Sequence, residues 1–283
     1  MFVFKAAVVG AGTMGAEIAH VIASAGIPVV LKDTDEDRVH RAAARARSVW
    51  QAQVDAGKLE AAELERRARL IAPATGYERF GDVDLVIEAV PEQMELKHAV
   101  FSELDEVTPG HAILASNTSA LSITEIGEAT IRPDKVVGLH FFFPASVSRL
   151  VEVVEGEDTS TETAQATATF AQAIRKAPIR CADAPGFVVN RILNAAVSEL
   201  WCAQEESGAD LEAFDRLIGD ASPSQHGPFF IADLLGLDTV VAVAEHMRES
   251  YGDRFHVHGA MRAHVQEGRL GAKSGRGFYE HGR

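Results

Sequence analysis

Two residues in the middle of the chain have types and spacing suited to moving a proton. His140 ends the apolar run Lys135 to His140, and Glu152 is the single charge inside the run Leu150-Val151-Glu152-Val153-Val154. A carboxylate buried in a strand without a partner carries a heavy desolvation cost. Pairing the two resolves both oddities, because Glu152 would accept from one imidazole nitrogen, fix the tautomer and raise the basicity of the other. The competing reading leaves Glu152 facing outward on an edge strand. A second group of residues could hold phosphates. Gly10-Ala11-Gly12-Thr13-Met14-Gly15 follows the apolar Val8-Val9 and opens the amphipathic run Ala16 to Ala25. Gly10 would make the turn, Gly12 would admit a pyrophosphate to the backbone, and Gly15 would let the helix pack closely on its strand, with its N-terminus aimed at the phosphates.

After the helix closes at Gly26, Pro28-Val29-Val30-Leu31-Lys32-Asp33 reads as a buried strand that ends in a carboxylate where a ribose diol would sit. Strand, glycines, helix, strand and Asp33 together predict dinucleotide binding. Asp33 repels a 2′-phosphate, which favours NAD over NADP, and Lys32 softens that preference a little.

The elements that must position these residues alternate strand and helix. Asp35 to Asp55 and Glu60 to Leu70 read as two helices broken at Gly57, an excursion from the simple rhythm. Ile71-Ala72-Pro73 is a short strand, Asp84 to Val90 a buried one ended by Pro91, Glu92 to Val107 a helix, and Ala112 to Ala115 the next strand. A short helix over Ser122 to Glu128 leads to the strand ending at His140. Beyond Glu152, Thr159-Ser160-Thr161-Glu162 suggests a capping box for a helix reaching Lys176, and Pro178 to Cys181 a last edge strand. The composition changes at Ala184-Pro185-Gly186. From Phe187 every segment reads as helix (187–207, 210–219, 228–235, 238–250 and 257–266) before a glycine-rich tail over Gly268 to Tyr279. The expected architecture is therefore α/β: a doubly wound, Rossmann-type sheet over residues 1–184 and an all-helical domain over 185–283.

Ligands of such sheets sit outside the carboxyl ends of the strands, which singles out Glu88 to Lys97, Ser116 to Ser119, and His140. Asn117 and Ser119 also have a plain role as turn and cap residues. Asn190 and Asn194 lie one turn apart on an otherwise apolar helix, where each needs either a substrate oxygen or a backbone carbonyl as partner.

Composition bounds the function. A length of 283 residues suits two domains, and 47% hydrophobic with 24% charged residues is ordinary for a globular chain. A net charge of −14 argues against nucleic acid and anionic membranes, and makes any anionic substrate depend on a local basic patch. No apolar run reaches the roughly 18 residues of a membrane helix, and Met1 to Lys5 carries no signal-peptide pattern, so a cytoplasmic location is expected. Cys181 and Cys202 lack redox or zinc spacing and are expected as buried thiols, with no metal site.

Across nearly its whole length the chain resembles the L-3-hydroxyacyl-CoA dehydrogenases, especially the short bacterial 3-hydroxybutyryl-CoA dehydrogenases. The resemblance rests on Gly10 to Gly15, Ala115-Ser116-Asn117-Thr118-Ser119, Gly138-Leu139-His140-Phe141-Phe142, Leu150 to Val154, Pro185-Gly186-Phe187-Val188-Val189-Asn190-Arg191 and Gly275-Arg276-Gly277-Phe278-Tyr279. It implies an NAD-dependent oxidoreductase interconverting a 3-hydroxyacyl and a 3-ketoacyl thioester. In that reading His140 is the base, Glu152 orients it, Ser119 and Asn190 contact substrate oxygens, and Glu92, Lys97 and Asn117 lie near the nicotinamide half of NAD. It also implies a homodimer through the C-terminal helices. A carrier-protein thioester, another small hydroxy acid, or a non-catalytic dinucleotide-binding protein are the alternatives. Two departures stand out. Phe143 replaces the usual Asn, and Ala52 and Ala56 align with lysines used for coenzyme A phosphates, which predicts weak binding of that moiety unless Arg45, Arg47 or Lys58 supplies the charge.

Overall fold

The structure is a computed structural model that describes residues 2–221 and 225–282. Met1 and Arg283, the outer ends of the two expected domains, lie outside the described residues. Contacts divide the chain into two compact units, Met1–Phe187 and Val188–Arg283. The division falls after Phe187 rather than at Ala184 because the Phe187 ring is buried in a core cluster of the first unit.

The first unit is an eight-stranded sheet in the order β3-β2-β1-β4-β5-β6-β7-β8. Its strands are β1 (Ala6–Val9), β2 (Val29–Lys32), β3 (Ile71–Ala74), β4 (Leu85–Glu88), β5 (Ile113–Ser116), β6 (Val136–Phe141), β7 (Leu150–Glu155) and β8 (Ala177–Ala182). The first six run parallel; β7 turns back antiparallel to β6, and β8 runs parallel to β7. β1 to β5 are four-residue strands, and β1, β4 and β5 are buried throughout, as expected when helices cover both faces of a parallel sheet. Alternation along β1 sends Ala6 and Val8 into one core layer and Ala7 and Val9 into the other. Each buried Val or Leu in these layers contributes roughly 1.5–3 kcal/mol.

The layer containing Val8 packs against α1 (Thr13–Ser24), α2 (Glu36–Asp55) and α6 (Thr161–Ala173), through Ile18, Trp50 and Phe170. The layer containing Val9 packs against α4 (Met94–Val107) and α5 (Ile123–Gly127), through Phe101 and Ile126. α3 (Ala61–Ala68) completes the excursion between β2 and β3. The helix starts follow their caps: Asp35, Ser122 and Ser160 each accept the N–H three residues on. The capping box expected over Thr159 to Glu162 does not form: the cap is Ser160, one residue later than Thr159, so Thr163 stands at the position from which Glu or Gln would reach back.

The second unit contains α7 (Val189–Ser207), α8 (Leu211–Ala221), α9 (Pro228–Leu235), α10 (Leu237–Tyr251) and α11 (Gly259–Gln266) around a core of Trp201, Phe229, Val257 and Met261. α7 starts two residues later than the pattern suggests, since Phe187 belongs to the other core. Cys181 and Cys202 are half-exposed rather than buried: β8 is an edge strand, and Cys202 stands beside Glu206 one turn on along α7. No helix among the described residues is long and apolar enough to cross a membrane.

Candidate active site

The strand order reverses at β1, flanked by β2 and β4, which places the ends of β1, β4, β5 and β6 along one edge. The glycine turn sits there. Gly10 adopts φ +101°, and a Cβ on it would meet the Ala89 carbonyl oxygen at 2.5 Å. A Cβ on Gly15 would meet the Gly10 carbonyl oxygen at 1.7 Å, so only glycine lets Thr13, Met14 and the rest of the first turn of α1 lie on its strand. Gly12 differs. A Cβ there meets nothing within 4 Å, and its φ of −69° is open to any residue. The chain itself gives no reason for glycine at this position; a phosphate resting on the backbone does.

Asp33 ends the next strand and is buried, with Oδ2 accepting the Ala11 N–H at 2.8 Å and Oδ1 the Asp35 N–H at 3.2 Å. Burial pushes its carboxyl up, but these N–H groups and the Arg38 guanidinium, 3.7 Å away, outweigh burial and hold it below the usual range. Lys32 does not lie beside Asp33 as its sequence position suggests. Its ammonium stands 3.3 Å from the Tyr77 hydroxyl and 4.4 Å over that ring, because successive strand residues face opposite sides of the sheet. Arg38, which the sequence pattern did not single out, is the cation next to Asp33.

Buried charges tie the ends of β4 and β5 together. Glu88 is 0% and Lys97 1% exposed, and the ammonium lies 2.8 and 2.9 Å from the two Glu88 oxygens and 3.3 Å from Glu92. Glu88 also accepts the Val90 N–H and the Ser116 hydroxyl. Glu92 in turn accepts from the Thr118 hydroxyl at 2.6 Å and the Ser119 N–H at 2.9 Å. Burial raises the Glu92 carboxyl, but Thr118, Lys97 and Ser119 outweigh it and hold it low. The sequence marks Glu88 only as the start of the stretch Glu88 to Lys97, without the pairing to Lys97 that a charge ending an apolar strand implies by the same signal that exposed Glu152. Asn117 donates its N–H to the Glu88 carbonyl and accepts the Phe141 N–H at 2.9 Å, clipping the end of β5 to that of β6 beside His140.

His140 and Glu152 are direct partners across the antiparallel β6–β7 pair. His140 Nδ1 lies 2.7 Å from Glu152 Oε2, with the imidazole 8% and the glutamate side chain 0% exposed. β7 is not an edge strand, so Glu152 has no outward face. The Phe142 and Phe187 rings flank the imidazole at 4.5 and 5.9 Å. Phe143 is exposed. Ala52 and Ala56 are exposed on α2 and at its end, Arg47 is paired with Glu65, and Lys58 lines a cavity considered below. Asn190 lies in the first turn of α7 in the second unit, and its carbonyl accepts the Asn194 side-chain N–H at 2.8 Å, so for Asn194 the partner is backbone.

Residues 5–184 match the family model described as 3-hydroxyacyl-CoA dehydrogenase, NAD binding domain, and residues 186–281 match its C-terminal domain. The chain belongs to the 3-hydroxyacyl-CoA dehydrogenase family. NAD is the cofactor that this family's first domain binds, and the open face of Gly12 and the buried carboxylate of Asp33 fit it. Among family members, the 3-hydroxyadipyl-CoA dehydrogenase of Escherichia coli is 40% identical over 97% of the chain, which spans 58% of that relative. The 3-hydroxybutyryl-CoA dehydrogenase of Clostridioides difficile is 37% identical, over 98% of this chain and 99% of that one. The crystal structure of an (S)-3-hydroxybutyryl-CoA dehydrogenase from Ralstonia eutropha superposes with a TM-score of 0.92 at 36% identity, covering 99% of this chain and 100% of that chain.

Proposed function

We propose that this family member is an NAD-dependent dehydrogenase that interconverts a 3-hydroxyacyl thioester, of the CoA type, and the 3-ketoacyl thioester. The observation that carries the reading is the 2.7 Å contact between His140 and Glu152 at the ligand edge of the sheet. With Nδ1 donating to Glu152, Nε2 is left as the basic nitrogen and takes the proton of the substrate hydroxyl. NAD, which Gly10, Gly12 and Asp33 would hold, would supply the acceptor for the hydride of the carbinol carbon, whose C–O bond becomes a carbonyl as the proton passes to His140. Glu152, held in a water-poor strand pair, stabilises the imidazolium that results. The Phe142 and Phe187 rings keep the imidazole in place.

Ser119 and Asn190 are proposed to hold the substrate oxygens, and Glu92, Lys97 and Asn117 to shape the nicotinamide end of the cofactor site. Lys97 does so through Glu92, because Glu88 and Glu92 together surround its ammonium. In this reading the first unit holds NAD, and the second supplies substrate contacts and the surface of a homodimer. The cytoplasm, where NAD is drawn from a free pool, is the proposed location. The test is NADH formation, followed at its absorbance band, from NAD and 3-hydroxybutyryl-CoA. NAD binding without turnover of any hydroxyacyl thioester would leave a non-catalytic dinucleotide-binding protein instead.

A further inference from the structure

The first unit contains a cavity of about 380 Å³ whose wall has a charge opposite to that of the whole protein. Lys58, Arg67, Arg149, Arg175 and Lys176 line it, and no Asp or Glu does, in a chain with a net charge of −14. Arg67 is paired with Glu63, and Lys176 is spent on the Ala145 and Ser148 carbonyls. Lys58, Arg149 and Arg175 have no carboxylate partner among the described residues. Glu17, on α1, accepts the Ser146 N–H.

A further observation marks the cavity as more than a cationic patch. His20 lines it, is 7% exposed, and its Nε2 is buried with no hydrogen-bond partner among the described residues. An orphaned buried nitrogen carries a desolvation cost of about 1–3 kcal/mol that a ligand atom would remove. Burial, against the field of Glu17 and with that of Arg67 and Lys176, pushes this imidazole below its ordinary value, so it is neutral at pH 7 and donates or accepts according to tautomer. Arg175 follows α6 at φ +63°, a conformation that glycine adopts at no steric cost. This is the usual end of a helix, with the Arg175 N–H donating to the Gln172 carbonyl and the Lys176 N–H to that of Ala171, and it leaves Arg175 on the cavity wall.

We propose that this cavity is a binding site for a phosphate ester, with Lys58, Arg149 and Arg175 supplying charge and His20 a neutral hydrogen bond. Ser146 and Arg149 belong to the loop between β6 and β7, the strands that carry His140 and Glu152, so the catalytic strand pair is continuous with the cavity wall. If the substrate is the CoA thioester of the reading above, on which this part rests, its phosphorylated nucleotide end occupies the cavity. A free phosphorylated ligand offers the same chemistry.

The probe is adenosine 3′,5′-bisphosphate, titrated calorimetrically into the full chain. Arg149→Ala and Arg175→Gly are each expected to weaken binding about five-fold, the value of one solvent-screened phosphate contact, and added salt to weaken it further. Arg175→Gly relieves the strained backbone, so its melting temperature is expected to stay level or rise, and lost binding then cannot come from misfolding. If the KM for 3-hydroxybutyryl-CoA rises by the same factor in both variants, the ligand is the nucleotide end of the thioester. If bisphosphate binding weakens while that KM does not move, the phosphate site stands and its assignment to the thioester is overturned. Absent bisphosphate binding to the unaltered chain, or equal binding in both variants, overturns the site itself. The titration needs no turnover, so a failure of the proposed reaction reads separately.

Discussion

Lys97 places its ammonium 2.8 and 2.9 Å from the two carboxylate oxygens of Glu88, at the end of β4, with both side chains excluded from water. Removing one partner of a buried pair strands a charge and costs about 3–5 kcal/mol. Lys97→Met and Glu88→Gln are each expected to lose stability on that scale in denaturant unfolding. The double variant should cost less than the sum of the two, because it leaves neither charge of the pair behind. A loss below about 1 kcal/mol for Lys97→Met would mean that water reaches the pair.

For the proton step, His140→Gln should lower turnover by roughly 100- to 10,000-fold, the range for a positioned acid-base group, while NADH titration shows binding nearly intact. Glu152→Gln should shift turnover in the same direction, since a neutral amide no longer balances the imidazolium. Near-normal turnover in His140→Gln would assign the proton to another group.

The glycines separate fold from cofactor. Gly12→Ala places its methyl where no protein atom lies within 4 Å, so the melting temperature should hold while NADH binding weakens at least several-fold. Gly15→Ala drives a methyl into the Gly10 carbonyl and should yield a protein that melts far lower or fails to fold. Equal NADH affinity in Gly12→Ala would remove the phosphates from this turn.

Asp33→Ala should relax a preference for NAD over NADP, with Arg38 left to meet the 2′-phosphate, as ratios of kcat/KM would show. The carboxyl is held below its ordinary 3.8, so its stabilisation is complete above pH 3.8 and lost as pH falls through the lower folded value. The stability difference between the unaltered chain and Asp33→Asn, followed by unfolding against pH, should be constant above 3.8 and close below it.

The second unit exposes Ile192 and Leu193 on α7, Leu217 on α8 and Leu234 with Leu235 on α9, more apolar surface than a small helical unit leaves to water. A homodimer is expected, with a sedimentation mass twice the 30.4 kDa of one chain. A mass of one chain at micromolar concentration would contradict it.

Local pattern was enough to read the glycine turn, the buried strands and Asp33 from the amino-acid order. Each is specified within a few residues, by backbone freedom at Gly10 or by an unbroken apolar run such as Leu85 to Ile87. The His140–Glu152 pair was legible for a related reason, since a lone charge in an apolar strand implies a partner, but whether Glu152 faced in or out was open. Tertiary structure decided that, by adding β8 outside β7 and setting His140 opposite Glu152 in register. It also decided which neighbour of Asp33 is its cation, because the two-residue alternation of the strand carries Lys32 to Tyr77 and the turn brings Arg38 back. The Glu88–Lys97–Glu92 network lies within ten residues that the strand-end rule already marked, and the fold decided only that Lys97 turns back from α4 onto both carboxylates. The cationic cavity joining His20, Lys58, Arg149 and Arg175 needed the fold altogether. Its members come from segments far apart in the chain, and only the packing of α1, the end of α2 and the loops flanking β7 and β8 brings those charges together.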